Sequence, residues 1–373
     1  MKVLVTGGAG FIGSHTVDLL VKNGYGVTVL DNLEPQVHHN KRPSYLNDSV
    51  EFVSGDITDK RTWQKVLADV DTVIHLAAMV GVGQSMYQPV RYLSANTIGT
   101  ANMYEVILEN PKLKKVIQKI IVASSKSIYG EGAYKCKTHG TIFPYHRPIN
   151  QLENRDWEVH CDICGEYVTP VGITEEKPVQ NLSAYALSKY DTERLAIDFG
   201  LALGIPTIAF RYFNAYGPRQ SLSNPYTGVV AIFLSRLKNN NSPIVYEDGS
   251  QLRDFIYVED IARANIMALE DEKITSDVFN VGSGIPISLN GILELLSELT
   301  GKEKIKPQIT EKYRVGDNRH DFSDITKIKK TLNFKPKCEI TNGLRKLVEW
   351  GETQEAVDKF NEAERERVKY LEG

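Results

Sequence analysis

The sequence contains few cysteines and no long run of apolar residues. Four cysteines among 373 residues do not suggest a disulfide-bonded scaffold. No apolar run approaches the ~18–20 residues that a membrane-spanning helix needs. The N-terminal residues have the pattern of a strand followed by a glycine-rich turn, which differs from the pattern of a signal peptide. We therefore expect a cytoplasmic protein with no membrane partner.

A large excess of charge of one sign is also absent. The chain has 44 Lys and Arg against 47 Asp and Glu, a net charge of −3, with acids and bases interspersed. This balance gives no electrostatic attraction to nucleic acid, so we expect no nucleic-acid partner. The chain is long enough for more than one lobe. We expect a dinucleotide-binding domain over residues 1–210, a smaller lobe mainly over 211–350 and a C-terminal helix over 351–373. The charged segment 344–371 has few apolar positions, so we expect it to be a solvated or partner-facing helix.

A glycine triplet near the N-terminus is the most specific local pattern. The apolar residues 3–5 predict a buried strand, and Gly7, Gly10 and Gly13 follow it with the spacing G-x-x-G-x-x-G. One glycine allows the tight turn, one lets a pyrophosphate approach the backbone, and one lets the next helix pack closely. An ordinary turn is the alternative. A strand before the triplet and a helical pattern after it favour a dinucleotide site, with phosphates at the helix N-terminus.

An acidic residue follows the second predicted strand. Residues 27–30 form an apolar run that ends in Asp31, 18 positions after Gly13. A carboxylate at this point can accept hydrogen bonds from the adenosine ribose, and it would repel a 2′-phosphate. The sequence therefore predicts NAD rather than NADP as the cofactor.

Strands and helices alternate through the first half of the chain. Further predicted strands cover residues 50–53, 72–78, 120–123 and 207–210, and a helix begins near Ala184. This alternation predicts an α/β fold with a Rossmann-type doubly wound parallel sheet. Residues 131–180 read as a long irregular insertion.

Three residues form a pattern typical of an alcohol-oxidising site. Ser125 follows the fifth strand, and Tyr185 and Lys189 are four positions apart, so they share one helix face. A nearby ammonium group favours the phenolate and lowers the pKa of the tyrosine. Y-x-x-x-K alone usually marks a solvated helix face. Together with the glycine triplet and Ser125, it favours a catalytic role.

Several segments, in order along the chain, resemble the extended short-chain dehydrogenase/reductases, in the NAD-dependent sugar epimerase/dehydratase family. They extend from the N-terminus to about residue 350 and comprise residues 6–13, 75–78, 124–130, 185–189, 211–214, 216–218, 253–260 and 314–317. Residues 80–85 and 89–100 resemble UDP-galactose 4-epimerases, and residues 124–132 resemble dTDP-L-rhamnose 4-epimerases.

The resemblance implies roles for individual residues. Tyr185 would be the catalytic acid/base, Lys189 its partner and a ribose ligand, and Ser125 the partner of the substrate hydroxyl. The residues expected at the cofactor are Gly7, Gly10, Phe11, Ile12, Gly13, Asp31, Asn32, Asp56, Ile57, Leu76, Ala77, Ala78, Asn96, Tyr185 and Lys189. For Asp56, a helix cap is the alternative.

The resemblance also implies a nucleotide-diphosphate sugar as substrate. Asn214 would contact it, and Arg253 and Arg314 would neutralise its diphosphate, with a surface ion pair as the alternative for each arginine. The residues expected at the substrate are Val80, Gly81, Ser85, Ser125, Ser127, Asn214, Arg219, Arg253, Arg314 and Asp317. The family also implies a homodimer formed through the helices that carry Tyr185 and Asn96.

The residues after Ser125 favour one reaction of this family. Nucleotide-sugar 4,6-dehydratases carry an Asp-Glu pair there, whereas this chain has Lys126 and Ser127. We therefore predict an isomerase, a nucleotide-sugar 4-epimerase that oxidises C4 transiently to a 4-keto intermediate and returns the hydride without stereospecificity. The alternatives are a 4,6-dehydratase or 4-ketoreductase, and a non-catalytic NAD-binding regulatory protein.

The insertion carries a pattern typical of a structural zinc site. Cys136 and His139 form one pair, and Cys161 and Cys164 form a second. This spacing matches a zinc hairpin with a closed ligand shell, in which His160 could replace His139. Three reduced cysteines in a loop are the alternative. The fourth cysteine, Cys338, lies elsewhere in the chain and is expected to be buried.

Overall fold

The computed structural model describes residues 1–314 and 316–371, and a seven-stranded parallel sheet forms their centre. Its strands are β1 (Lys2–Thr6), β2 (Gly26–Asp31), β3 (Glu51–Ser54), β4 (Thr72–His75), β5 (Lys119–Ser125), β9 (Thr207–Tyr212) and β13 (Ser276–Val281). Their order in the sheet is β13-β9-β5-β4-β1-β2-β3. Every neighbouring pair is parallel, which confirms the predicted Rossmann-type fold.

Helices cover both faces of this sheet. They are α1 (Phe11–Lys22), α2 (Pro35–His38), α3 (Lys60–Val66), α4 (Val82–Ser85), α5 (Pro89–Tyr92), α6 (Gly99–Glu109), α7 (Pro111–Val116), α8 (Ile149–Glu153), α9 (Ala184–Leu203), α10 (Val229–Lys238), α11 (Val258–Glu270), α12 (Leu289–Thr300), α13 (Thr326–Leu332), α14 (Ile340–Glu352) and α15 (Phe360–Leu371). A π-helical turn, Leu93–Ile98, joins α5 to α6, and a 3₁₀ turn, Lys126–Tyr129, follows β5.

The apolar strand residues are buried because both sheet faces are covered. Side chains of α1, α11 and α13 pack on one face, as Val17, Ile261 and Ile328 show. Side chains of α3, α6 and α9 pack on the other, including Trp63 and Met103. One strand of the central sheet, β13, and two helices packed on it, α11 and α13, therefore come from the part of the chain beyond residue 210.

A smaller lobe has its own core between α10, α12 and α14. Its strands are β10 (Asn214–Tyr216), β12 (Leu252–Tyr257) and β14 (Pro286–Ser288) in the order β10-β12-β14, with β11 (Ile244–Val245) paired to β15 (Gln308–Ile309). Leu344, Leu347 and Val348 of α14 are buried in this core. The prediction of a solvated helix was therefore wrong for α14, because its apolar residues lie on one face.

The insertion is more regular than its sequence indicated. It forms an antiparallel sheet in the order β7-β6-β8, from β6 (Ala133–Cys136), β7 (Gly140–Ile142) and β8 (Thr169–Val171). Tyr134, Ile142 and Val159 pack with Cys136 and Cys161 in a small core. We call residues 131–180 the Cys/His insert.

None of the described helices is both long and apolar enough to cross a membrane.

Candidate active site

A cavity of about 870 Å³ lies at the carboxyl ends of the central strands, between the sheet and the smaller lobe. Residues after β1, β4 and β5 line it, together with residues of β12 and α15. Strand order reverses between β1 and β4, and ligands of open α/β sheets bind outside such a switch point. The topology therefore places the cavity where a cofactor is expected.

The three glycines have different roles at this cavity. Gly7 has φ +67°, and a Cβ there would lie 2.7 Å from the Ala77 nitrogen. A Cβ at Gly13 would lie 2.0 Å from the Gly7 oxygen. At Gly10 a Cβ would meet only that oxygen, at 3.2 Å, among the described residues. Both Gly7 and Gly13 are thus required by packing, whereas Gly10 keeps space open in the cavity.

The N-terminus of α1 fits a diphosphate. Gly10 is the N-cap, and within the described part of the chain no side chain caps this end and no acid lies in the first turn. Free N–H groups at a helix N-terminus bind anions, with the helix dipole in support. The residues present therefore fit a dinucleotide.

Replacing Gly10 with alanine is expected to weaken NAD binding by about tenfold or more, because the added methyl occupies the space of the diphosphate at a cost of about 1–3 kcal/mol. The unfolding temperature without NAD should change little, since the new Cβ meets only one backbone atom. Calorimetric titration with NAD measures the effect. Gly26→Ala, with its nearest neighbour 3.8 Å away, is the matched control. Unchanged NAD affinity in Gly10→Ala would contradict this role.

Asp31 is buried at the end of β2. Its carboxylate accepts hydrogen bonds from the Ala9 nitrogen (3.1 Å) and the Leu33 nitrogen (2.9 Å). Burial raises the pKa of Asp31 above its ordinary value, although these two hydrogen bonds oppose the rise. Asp56 lies nearby and accepts from Asn32 Nδ2 at 2.9 Å. A backbone N–H of the glycine loop, that of Ala9, therefore holds the Asp31 carboxylate in place.

Most residues predicted at the cofactor line this one cavity. They are Gly7, Gly10, Phe11, Ile12, Gly13, Asp31, Asn32, Asp56, Ile57, Leu76, Ala77, Ala78, Tyr185 and Lys189. Asn96 does not line it, so the cofactor contact of Asn96 stays a prediction. The Asn96 amide is buried, accepts from the Met79 nitrogen at 2.8 Å and donates to Ser188 Oγ at 2.9 Å. It holds the loop after β4 against α9.

The three predicted catalytic residues face the same cavity. Ser125 ends β5, and Tyr185 and Lys189 lie on the first two turns of α9. Burial raises the pKa of the Tyr185 phenol, and a hydrogen bond with Ser125 opposes the rise. Burial lowers the pKa of Lys189 to about 8. The structure thus places a hydroxyl, a phenol and an ammonium group at one point of the cavity.

A buried ion pair behind these residues was not among the predicted site residues. Glu193, one turn beyond Lys189 on α9, accepts from Ser124 Oγ at 2.7 Å. It also accepts from Arg211 Nε at 2.9 Å and Nη2 at 2.5 Å. Arg211 donates in turn to Tyr129 Oη at 2.8 Å. This network ties β5, α9 and β9 together beside the catalytic side chains.

Some of the predicted substrate residues line the cavity and others do not. Those that line it are Val80, Gly81, Ser125, Ser127, Asn214, Arg253 and Arg314. Ser85 is buried and donates to the Val82 oxygen at 2.7 Å. Arg219 pairs with Asp18 at 2.7 Å, and Asp317 is exposed outside the cavity. Since Ser85, Arg219 and Asp317 do not line the cavity of this structure, their substrate contacts stay predictions.

Arg314 is suited to an anionic ligand. Its guanidinium carbon lies 4.1 Å from the centre of the Tyr246 ring, and Nη2 lies 3.3 Å from Glu364 Oε2. Its Nε is buried and has no hydrogen-bond partner among the described residues. An arginine that is stacked on an aromatic ring and still has a free donor can bind a phosphate.

Arg253 is held differently. Its Nη1 donates to the Arg319 oxygen at 2.8 Å and its Nη2 to the Asn318 oxygen at 2.9 Å. Its Nε lies 3.5 Å from Asp321 Oδ2, which also binds Lys126 Nζ at 2.5 Å. The backbone carbonyls occupy the fork that a bidentate contact would use. Arg253 therefore supplies a fixed positive charge to the cavity.

The C-terminal helix α15 forms one wall of the cavity, which sequence reasoning missed. Glu366 accepts from Tyr87 Oη (3.0 Å) and Tyr226 Oη (2.5 Å), and the rings of Tyr87 and Tyr370 stack at 5.2 Å. The cavity-lining residues have the i, i+3, i+4, i+7 spacing of a buried helical stripe, which was the available signal. They are Phe360, Ala363, Glu364 and Arg367.

The predicted metal ligands come together in the Cys/His insert. One ligand atom from each of four residues lies within 4.8 Å of all the others: Cys136, His139, Cys161 and Cys164. Cys136 Sγ lies 3.7 Å from Cys164 Sγ and 3.6 Å from His139 Nδ1, and Cys161 Sγ lies 3.5 Å from His139 Nδ1. A tetrahedral zinc ion with Zn–S of about 2.3 Å and Zn–N of about 2.0–2.1 Å requires S···S edges near 3.8 Å and S···N edges near 3.6 Å.

His160 and Cys338, which the sequence analysis also considered, lie outside this cluster. His160 Nε2 pairs with Asp156 Oδ2 at 2.9 Å, so His160 does not replace His139. Cys338 is only partly buried, contrary to expectation, and its nitrogen donates to Asp260 at 3.1 Å.

Comparison with known proteins agrees with this geometry. The family model of the NAD dependent epimerase/dehydratase family matches residues 3–150 and 163–282, leaving out part of the Cys/His insert. The chain is 36% identical over 356 residues to a dTDP-L-rhamnose 4-epimerase of Burkholderia thailandensis, covering 94% of each chain. Other relatives at 28–30% identity are named as decarboxylases of UDP-sugar acids.

Solved structures give the same result. The UDP-glucose 4-epimerase of Thermotoga maritima with UDP-glucose superposes with a TM-score of 0.72 at 33% identity, covering 94% of this chain and 99% of that one. The Thermus thermophilus UDP-glucose 4-epimerase in complex with NAD has a TM-score of 0.72 at 28% identity, with 95% and 100% covered. The predicted family is confirmed: the chain belongs to the NAD-dependent epimerase/dehydratase family.

Proposed function

We propose that this chain is an NAD-dependent nucleotide-sugar 4-epimerase. The observation that carries the proposal is the convergence of Ser125, Tyr185 and Lys189 on the cavity that the glycine loop and Asp31 also line. The 4-epimerase names of the relatives support it.

The chain's own residues would act on the C4 hydroxyl of the sugar. Ser125 would hold that hydroxyl, and Tyr185 would take its proton and later return it. The Lys189 ammonium would stabilise the phenolate through its charge. NAD, when bound, would accept the C4 hydride and return it to either face of the 4-keto sugar.

The residues after Ser125 support epimerisation over the neighbouring reactions. Neither Lys126 nor Ser127 carries a carboxylate that could drive loss of water. Lys126 is instead paired with Asp321, whose second partner is Arg253. The same pairing removes Asp321 as a free acid near the sugar.

A panel of UDP-, dTDP-, GDP- and CDP-sugars followed by NMR tests the proposal. We expect an equilibrium mixture of C4 epimers from at least one sugar, without net reduction of NAD. A stable 4-keto product would indicate a dehydratase, and loss of carbon dioxide from a sugar acid would indicate a decarboxylase. Either result, or no turnover across the panel, would overturn the proposal.

We also propose that the Cys/His insert binds one structural zinc ion. The tetrahedral edge lengths between the four ligand atoms support it. We expect about one zinc per chain after extensive dialysis and none in the double variant Cys161→Ser, Cys164→Ser. Cys338→Ser, outside the cluster, should keep its zinc. A metal-free wild-type protein would contradict the proposal.

A homodimer is proposed through the surface formed by α9, α6 and the π-helical turn. Leu201 and Ile98 are exposed on these elements, with 74% and 52% of their surface accessible. Thr97 donates to Asp191 at 2.8 Å, which joins the two elements into one face. Light scattering should give twice the 41.8 kDa chain mass, and Leu201→Glu should lower it toward the monomer. A monomeric wild-type protein would contradict this proposal.

A further inference from the structure

The Cys/His insert lies directly against residues 317–321, which we call the clamp segment. The two backbones touch, since a Cβ at Gly132 would lie 2.0 Å from the His320 oxygen. Glu131 accepts from the Arg319 nitrogen at 2.9 and 3.0 Å, and Tyr134 Oη donates to the same carboxylate at 2.7 Å. All three residues of the insert are buried. The contact is therefore a packed interface with directed hydrogen bonds.

A second acid of the insert contacts the side chains of the clamp segment. Glu158 Oε1 accepts from Arg319 Nη2 at 2.6 Å and Nε at 3.1 Å, and its Oε2 lies 2.9 Å from His320 Nε2. The next residue, Val159, packs in the small core that contains Cys136 and Cys161. The four-ligand cluster thus lies against the segment from which Glu158 projects.

The clamp segment in turn fixes Arg253. The carbonyl oxygens of Asn318 and Arg319 accept both Nη groups of Arg253, at 2.9 and 2.8 Å. Asp321 forms a backbone bridge with Arg253, and its carboxylate lies between Arg253 and Lys126. Both cations line the cavity. A shift of the clamp segment would therefore move two of the positive charges that face the ligand.

Through Arg319, the position of the clamp segment depends on the Cys/His insert. The Arg319 side chain is buried, and it pairs with Glu247 at 2.9 Å and Asp248 at 2.7 Å as well as with Glu158. Without Glu158, Arg319 would keep Glu247 and Asp248 but lose two hydrogen bonds, and His320 Nε2 would lose its contact with the Glu158 carboxylate. The two side chains and the backbone that carries them must then readjust. This matters for Arg253, because the backbone carbonyl of Arg319 accepts a hydrogen bond from Arg253 Nη1.

We propose that the Cys/His insert is a metal-held support for the diphosphate-binding charge of Arg253, with Glu158 and Glu131 as positioning residues. The inference rests on the proposed function, with zinc bound by the four Cys/His ligands, and on the role at the diphosphate that the family resemblance implies for Arg253. It assigns the insert a role in substrate affinity that is separate from cofactor binding and from proton transfer.

Glu158→Ala in the full-length protein tests the positioning role. Calorimetric titration with UDP and dTDP should give a Kd raised about tenfold or more. KM for the sugar substrate should rise in parallel, while NAD content, zinc content and kcat at saturation stay near the wild-type values. Glu158→Gln keeps an acceptor for Arg319, so its Kd for the nucleotides should rise less. Glu166→Ala, an exposed acid of the same insert, is the matched control and should bind as wild type.

The double variant Cys161→Ser, Cys164→Ser tests the metal link. It should lose zinc and show the same rise in Kd while NAD stays bound. If Glu158→Ala and Glu158→Gln both bind UDP and dTDP like the wild type, the support role is overturned. If Glu158→Ala weakens binding and the double variant does not, the metal link is overturned. If the wild-type protein binds none of UDP, dTDP, GDP and CDP, the proposed substrate class is wrong instead.

Discussion

Replacing Tyr185 with phenylalanine is expected to lower kcat by about 10²–10⁴-fold while leaving NAD bound. The variant keeps the ring, so its packing against Tyr92, at 6.2 Å between ring centres, is retained. It loses the phenol oxygen that we propose carries the proton to and from the sugar hydroxyl. Turnover of the best sugar from the NMR panel, measured together with the NAD content of the purified protein, gives the result.

A second tyrosine on the same helix provides the control. Tyr190 is half-buried on α9 and packs near Ile173 rather than lining the cavity. Tyr190→Phe should retain kcat within about twofold, because substitutions away from the site usually have small effects. Retained activity in Tyr185→Phe would refute the assignment of Tyr185 as acid/base, whatever the control shows.

Replacing Arg211 with leucine is expected to lower the free energy of unfolding by about 3–5 kcal/mol, because it leaves the Glu193 carboxylate buried without its partner. The side chains of Arg211 and Glu193 are 8% and 2% exposed, and two hydrogen bonds join them. Ser124 would be the remaining side-chain donor to this carboxylate. Denaturant unfolding followed by fluorescence measures the change.

An exposed pair on the same helix calibrates this value. Arg194 pairs with Asp198 at 2.5 Å, but the two side chains are 49% and 57% exposed. Arg194→Leu should cost less than about 0.5 kcal/mol, as surface pairs at i, i+4 do. If both variants lost the same free energy of unfolding, the buried pair would contribute no more to stability than an exposed pair.

The predicted site residues that line the cavity were identified from short-range patterns. The glycine loop, Asp31 and the pair Tyr185 and Lys189 are defined by spacing within one strand, turn or helix. The parallel sheet follows from apolar runs of strand length separated by helical patterns. The Cys/His pairs are also local, and the structure brings all four ligands together.

The parts that the sequence does not predict depend on contacts between distant residues. Asn96 lies in the segment 89–100, which resembles UDP-galactose 4-epimerases, and its amide hydrogen-bonds to the Met79 nitrogen and to Ser188 Oγ. Arg219 follows a motif residue, and its pairing with Asp18 is decided by how α1 meets the smaller lobe. Strand β13 was missed because only its last three residues are fully buried.

The contact between Glu131 and Arg319 spans 188 positions of sequence. The four Cys/His ligands, in contrast, all lie within residues 136–164. Closing a short loop costs less entropy than closing a long one, and local contacts form earlier in folding. During synthesis, the hairpin that we propose binds zinc can therefore form while the clamp segment is still inside the ribosome. We expect nascent chains that end before Arg319 to hold zinc but to lack an ordered nucleotide pocket, so that metal loading precedes assembly of the substrate site.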